Sequence, residues 1–152
     1  MARLGFAVLL ALFSSACGSK GAVSLLGMAE NPSLTVEQAA LGASLSGGFD
    51  LVLELGEYAD EGVDVDLAGF GLYRGDEELV SSLPLSSDVD FPVRVEPGKS
   101  KRARLTIDMT GTLDSAVADA LCAGNVAYRG GVTDAGGALT PAGSADFAPS
   151  CP

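Results

Sequence analysis

Three cysteines carry the most predictable chemistry in this chain of 152 residues. Cys17 lies near the N-terminus, whereas Cys122 and Cys151 lie close to the C-terminus with 28 residues between them (123–150). In an exported protein such a pair favours a structural disulfide, because an oxidising compartment stabilises paired thiols. A redox or metal-binding role for the pair lacks supporting residues. The sequence therefore predicts a bridge between Cys122 and Cys151 and leaves Cys17 as the odd cysteine.

The segment before Cys17 has the order of features that is typical of an export signal. Arg3 is the one charge in residues 1–16, an apolar stretch covers residues 4–13, and small residues follow. The stretch is too short for the ~20 apolar residues of a spanning helix, so a removable signal peptide is the better interpretation. Ser14-Ser15-Ala16-Cys17 resembles a lipobox, in which the cysteine receives a diacylglycerol group. Ordinary signal peptidase cleavage is the alternative, since Ser14 and Ala16 also satisfy its small-x-small rule.

Removal of residues 1–16 leaves a short link and one domain. Residues 17–32 are small and weakly patterned, which predicts a lipidated, flexible tether, and residues 33–152 suffice for one folded domain.

The net charge of -11 becomes -12 when Arg3 is lost, because all twenty acidic residues remain. Such a surface repels nucleic acid and anionic headgroups, so we exclude nucleic acid and expect membrane contact through the lipid on Cys17. The residue after Cys17 is Gly18 rather than Asp, which resembles the pattern of lipoproteins that are sent to the outer membrane. We therefore expect the protein at the outer membrane, facing the periplasm.

The residues needed for common catalytic sites are missing. The chain has no histidine, so neither a Ser-His-Asp triad nor a Cys-His pair can form. Gly42-Ala-Ser-Leu-Ser46 departs from the nucleophile-elbow pattern at its last position, and Gly69, Gly71 and Gly75 miss the dinucleotide-binding spacing. Carboxylate pairs are common by chance among twenty acids. We therefore predict that the protein is not an enzyme and binds no cofactor.

One acidic cluster comprises Asp60, Glu61, Asp64 and Asp66. It has the residue types that attract Ca²⁺, which prefers several carboxylate and carbonyl oxygens. The spacing does not fit a helix-loop-helix calcium loop: with Asp64 as the first ligand, Ala68 and Gly75 occupy positions that need oxygen ligands. Asp64 and Asp66 are two residues apart and project from one face of a strand. We interpret the group as a solvated strand face and predict no metal site.

The one dense basic run comprises Lys99, Lys101, Arg102 and Arg104. Contact with phospholipid headgroups or with an acidic polymer is one interpretation. The other is that these outward side chains pair with carboxylates on neighbouring strands, an interaction of modest energy. The second interpretation is favoured.

Most of the remaining chain alternates apolar and polar residues with the period of a strand. In the clearest case Phe49, Leu51, Leu53 and Leu55 share one face. Other predicted strands cover residues 34–41, 63–67, 70–74, 78–81, 91–95, 103–109, 125–133 and 138–147. Pro97 and Gly98 suit the centre of a type II turn, which predicts a hairpin between 91–95 and 103–109. Residues 113–122 predict one short helix, capped by Thr112 or Asp114. The pattern predicts an all-β, two-sheet sandwich of seven to eight strands, like fibronectin or immunoglobulin domains.

The order of these elements resembles a known family. Residues 33–41, 48–55, Leu67-Ala-Gly-Phe-Gly-Leu-Tyr73 and Val95-Glu-Pro-Gly98 are similar to the water-stress-and-hypersensitive-response domain of late-embryogenesis-abundant proteins. Asn125-Val-Ala-Tyr-Arg-Gly130 and Leu139-Thr-Pro-Ala-Gly143 extend the similarity over nearly the whole mature chain. The resemblance implies a fibronectin-like sandwich with a stress-associated, non-catalytic role.

Two functional hypotheses follow for the cell envelope. One is a lipid-anchored protein that protects or scaffolds other envelope components. The other is a ligand-binding or accessory subunit of an envelope complex, with other envelope proteins as partners.

Overall fold

A computed structural model describes residues 25–152, so that the predicted signal peptide and Cys17 lie outside the described residues. The described part contains nine strands and one helix. In chain order they are β1 (Leu25–Ala39), β2 (Gly42–Leu55), β3 (Val63–Arg74), β4 (Glu77–Val80), β5 (Leu85–Ser87), β6 (Val93–Val95), β7 (Ser100–Leu113), α1 (Ser115–Cys122), β8 (Ala127–Asp134) and β9 (Leu139–Gly143).

The strands form two sheets, and every pairing between named strands is antiparallel. One sheet has the order β1-β2-β7-β5, and the other has the order β4-β3-β8-β9 with β6 also paired to β3. The prediction of an all-β, two-sheet sandwich with one short helix is confirmed. The structure has nine strands where seven to eight were predicted. The strand that was not predicted is β5, because its three residues, Leu-Ser-Ser, have no alternating pattern.

The core lies between the sheets and is built around the predicted inward row of β2. Phe49, Leu51, Leu53 and Leu55 are all buried. The ring of Phe49 lies 4.8 Å from that of Phe70 and 4.6 Å from that of Tyr128, so the aromatic contacts join the two sheets. Full burial of each large apolar side chain stabilises the fold by about 1.5–3 kcal/mol.

The first strand begins earlier than the sequence predicted. Leu34 and Val36 point inward as expected, but β1 continues back to Leu25 through a bulge between Glu30 and Ser33. The bulge shifts the alternation by one residue, because an extra residue changes which face the following side chains occupy. The predicted boundary at residue 33 is therefore wrong, and residues 25–32 belong to the sheet rather than to a tether.

A second bulge explains why β3 read as two segments. Val65 is buried before it and Phe70 and Leu72 are buried after it, with the register shift between Leu67 and Gly69. Gly69 adopts φ +121°, a conformation that side chains disfavour. The pairing with β8 continues across the bulge, so that the two predicted segments form one strand.

The predicted hairpin between β6 and β7 is wrong. Pro97 and Gly98 do occupy the centre of a turn, in which the Lys99 amide donates to the Glu96 carbonyl over 3.0 Å. However, β6 pairs with β3, whereas β7 pairs with β2 and β5. The turn therefore carries the chain from one sheet to the other. Alternation shows which face of a strand is buried but does not identify its partner.

The helix α1 begins after Asp114, one of the two predicted caps. The Asp114 carboxylate accepts a hydrogen bond from the Ala116 amide over 2.7 Å, which satisfies one of the free donors of the first turn. Ala118 and Leu121 are buried against the sandwich. Leu113 ends β7 instead of starting the helix, so the helix is two residues shorter than predicted.

Candidate functional site

The C-terminal cysteine pair lies at disulfide distance. The sulfur atoms of Cys122, at the end of α1, and Cys151 are 1.99 Å apart, and their Cα atoms are 6.1 Å apart. Next to the bridge, the Ser150 amide donates to the Leu34 carbonyl and the Val36 amide donates to the Ser150 carbonyl, both over 2.8 Å. The C-terminal tail is thus held to β1 as well as to the helix.

Leu25, the first described residue, lies near the turn that connects the two sheets. Leu25 pairs with Leu55, and the carbonyl of Leu55 accepts from the Gly98 amide in the turn between the sheets. Large apolar side chains are exposed in this region, among them Leu26 at 54 % and Tyr58 at 82 %. Seven residues (18–24) separate Cys17 from β1, and the eight peptide units from Cys17 to Leu25 reach at most about 29 Å.

The basic run is divided between ion pairs and free lysines. Arg102 contacts Glu30 over 2.7 Å and Asp50 over 3.0 Å, and Arg104 contacts Asp50 over 3.2 Å. These residues lie on three adjacent strands of one sheet face, so the interpretation as cross-strand pairing is confirmed for both arginines. Lys99 and Lys101 form no ion pair with residues 25–152.

Asp50 is at the centre of this network. Asn31 donates a hydrogen bond to its carboxylate over 2.9 Å, and both arginines donate to it as well. The bond from Asn31 and the two arginines lower the pKa of Asp50, while partial burial opposes the change. Donors from β1 and β7 therefore hold the carboxylate in its charged form, and this network ties the outer face of the three strands together.

The acidic group is dispersed rather than convergent. Asp60 and Glu61 lie in the exposed loop before β3, and the Asp66 carboxylate accepts from the Leu67 amide over 2.8 Å. Asp64 pairs with Arg94 of β6 over 3.2 Å. Within residues 25–152 no three carboxylate or cysteine side chains are placed to hold a metal ion.

A groove opens at the side of the sandwich where β7 and β6 separate. It has a volume of about 260 Å³. Leu53 and Ala103 lie at its buried base and Val89 and Val93 lie higher up. Its lining is completed by three basic residues, Arg94, Lys101 and Arg102.

The groove was not predicted from the sequence. The predicted hairpin pairs 91–95 with 103–109, and such a pairing leaves no opening between the two strands. A signal was nevertheless present, because Lys101 lies in the same alternating row as the buried residues Ala103 and Leu105. A lysine in an inward-facing row marks a place where the core ends and solvent enters.

The comparisons with known proteins give no relative. No family model matches the sequence, and neither a characterised protein nor a solved structure is significantly similar to it. No helix within residues 25–152 is long and apolar enough to cross a bilayer.

Proposed function

We propose that this protein is a lipoprotein of a bacterial-type cell envelope, anchored through a lipid on Cys17. The observation that carries the proposal is the placement of Cys122 and Cys151 at disulfide distance. With these two thiols paired, Cys17 is the remaining cysteine of the sequence, and it follows an apolar leader at the lipidation position. The acidic surface supports the same proposal, because it favours a lipid over charge as the means of membrane attachment.

The domain would act by binding or shielding other envelope components, without catalysis, from the periplasmic side of the outer membrane. The resemblance to water-stress-and-hypersensitive-response domains supports a stress-protective or scaffolding role. The absence of histidine from the sequence removes the most frequent general base.

Mass spectrometry of the mature N-terminus tests the anchor. A diacylglyceryl group on Cys17 is expected, together with release of a Cys17→Ser variant from the membrane fraction. Cys151→Ser is the matched control, since it removes a thiol but leaves the anchor, and it should remain with the membrane. An unmodified Cys17 would refute the proposal.

A second candidate function is that of a ligand-binding or accessory subunit, and the groove between β6 and β7 favours it. The two roles are separated by a deletion strain and by affinity purification from solubilised envelopes. Loss of desiccation tolerance without a stoichiometric partner supports the protective role. A single stoichiometric partner with unchanged tolerance supports the accessory role.

A further inference from the structure

The groove between β6 and β7 combines an apolar interior with a basic mouth. Leu53 and Ala103 are almost fully buried and form the inner end, and Val89 and Val93 are half-buried above them. Its volume of about 260 Å³ is slightly below the ~300–1,000 Å³ of drug-sized ligand sites. The space therefore suits a short aliphatic chain.

The three basic residues of the groove differ in how they are neutralised. Arg94 contacts Asp64 and Glu96, and Arg102 contacts Glu30 and Asp50. Lys101 contacts no carboxylate among residues 25–152, although the sequence carries a net charge of -11. The Lys101 ammonium group therefore lies beside the apolar groove, and no carboxylate of the described residues neutralises its charge.

A contrast is provided by the neighbouring depression on the other side of Arg94. Its lining includes Glu61, Asp64 and Asp134, so it repels anions. Among residues 25–152, the lining of the groove includes no carboxylate. The groove therefore suits an anionic ligand with an apolar part, whereas the neighbouring depression does not.

We propose that the groove binds a short free fatty acid, with the aliphatic chain against Leu53, Ala103 and Val93 and the carboxylate against the Lys101 ammonium. A neutral chain of equal length would leave the ammonium unpaired, and a cationic amphiphile would be repelled by it. This inference supplies the ligand class for the second candidate function and rests on that candidate, but it does not require the lipid on Cys17.

The test is an NMR titration of the exported chain carrying Cys17→Ser with octanoate, followed through methyl signals. We expect saturable shifts at Leu53, Val89 and Val93, and weaker or no shifts with octanol or octyltrimethylammonium. Lys101→Ala should weaken octanoate binding about two- to five-fold, the range of an exposed ion pair. Lys99→Ala is the matched control, because Lys99 does not line the groove, and it should leave the affinity unchanged.

A second variant tests the position of the chain. Ala103→Leu extends a side chain into the groove and should abolish the shifts at Val89 and Val93. If this variant does not fold, the comparison of Lys101→Ala with Lys99→Ala still decides the question. Absence of shifts at the groove methyls, or equal weakening by the two lysine variants, would overturn the proposal. The affinity purification described above is independent of this result, so a failed titration would leave the accessory-subunit hypothesis to be judged by its own experiment.

Discussion

The hydroxyl group of Tyr128 donates a hydrogen bond to the carbonyl oxygen of Ser33 over 2.7 Å. Tyr128 belongs to β8 of one sheet and Ser33 to β1 of the other, at the bulge that shifts the alternation of β1. The tyrosine side chain is fully buried, and its ring stacks against Phe147 at 5.4 Å. A single buried side chain thus joins both sheets and the C-terminal segment.

Removal of this hydroxyl should destabilise the protein by a moderate amount. Tyr128→Phe keeps the ring contacts but loses the hydrogen bond to Ser33, at a cost of about 1 kcal/mol in the free energy of unfolding. Tyr128→Ala also loses the packing and should cost about 3–5 kcal/mol. Urea unfolding followed by circular dichroism measures both. Equal losses for the two variants would show that the hydrogen bond, and not the ring, dominates.

The same tyrosine predicts a loss of stability in alkali. Burial raises the pKa of Tyr128, because the charged phenolate is poorly solvated in the core. The unfolded chain ionises near pH 10 while the folded chain keeps the proton, so the stabilisation is complete below pH 10 and declines above it. The slope is at most about 1.4 kcal/mol per pH unit for one group.

Tyr128→Phe should flatten this alkaline decline, and the measurement is the urea midpoint between pH 8 and pH 11. Tyr58→Phe is the control, because the Tyr58 side chain is 82 % exposed and lies outside the core. A steeper decline in Tyr128→Phe than in the parent would contradict the argument.

The sequence predicted the faces of the strands better than their partners. The inward row from Phe49 to Leu55 could be identified because its alternation is uninterrupted and every member is buried. The bulges near Asn31 and Gly69 broke the alternation, and so the start of β1 was misplaced. The partner of β6 was missed because Val93 and Val95 alternate equally well in a hairpin or against β3. The groove depends on that pairing, and without it the sequence offered only the signal of Lys101 in an inward-facing row.

The bridge between Cys122 and Cys151 should contribute strongly to stability. Closing a loop of this length restricts the unfolded chain, and in the chain-entropy model this stabilises the fold by about 3–4 kcal/mol. Cys122→Ser and Cys151→Ser should each lower the free energy of unfolding by about that amount, and their double variant should lose no more than either alone. Cys17→Ser should have no effect. A thiol assay on denatured, unreduced protein that finds Cys122 and Cys151 both reactive would contradict the bridge.

The network around Asp50 should make stability sensitive to acid and to salt. Because the pKa of Asp50 lies below its ordinary value of 3.8 in the folded chain, its contribution is present above that pH and is lost as the pH falls through the lowered value. Asp50→Asn should therefore lower stability at neutral pH and flatten the acid limb of the pH profile.

The control for Asp50→Asn is Asp108→Asn on the exposed face of β7, since Asp108 forms no ion pair with residues 25–152. A double-mutant cycle between Asp50 and Arg104 should show favourable coupling at low ionic strength and weaker coupling in 1 M salt, where screening acts within about 3 Å. Coupling that is independent of salt would contradict an electrostatic origin.

Gly48 should be intolerant of any side chain because β2 lies between β1 and β7. A Cβ at Gly48 would lie 2.0 Å from the carbonyl oxygen of Leu105, and the residue adopts φ +151°. The backbone conformation alone costs an alanine about 1–3 kcal/mol, and separation of the strands adds to this. Gly56→Ala is the matched control, since no atom of residues 25–152 lies within 4 Å of its Cβ position. Thermal or urea unfolding should show a loss of at least about 2 kcal/mol for Gly48→Ala and little change for Gly56→Ala. Similar stabilities for the two variants would mean that β2 and β7 are not paired in this register, and the central pairing of the sheet would then need revision.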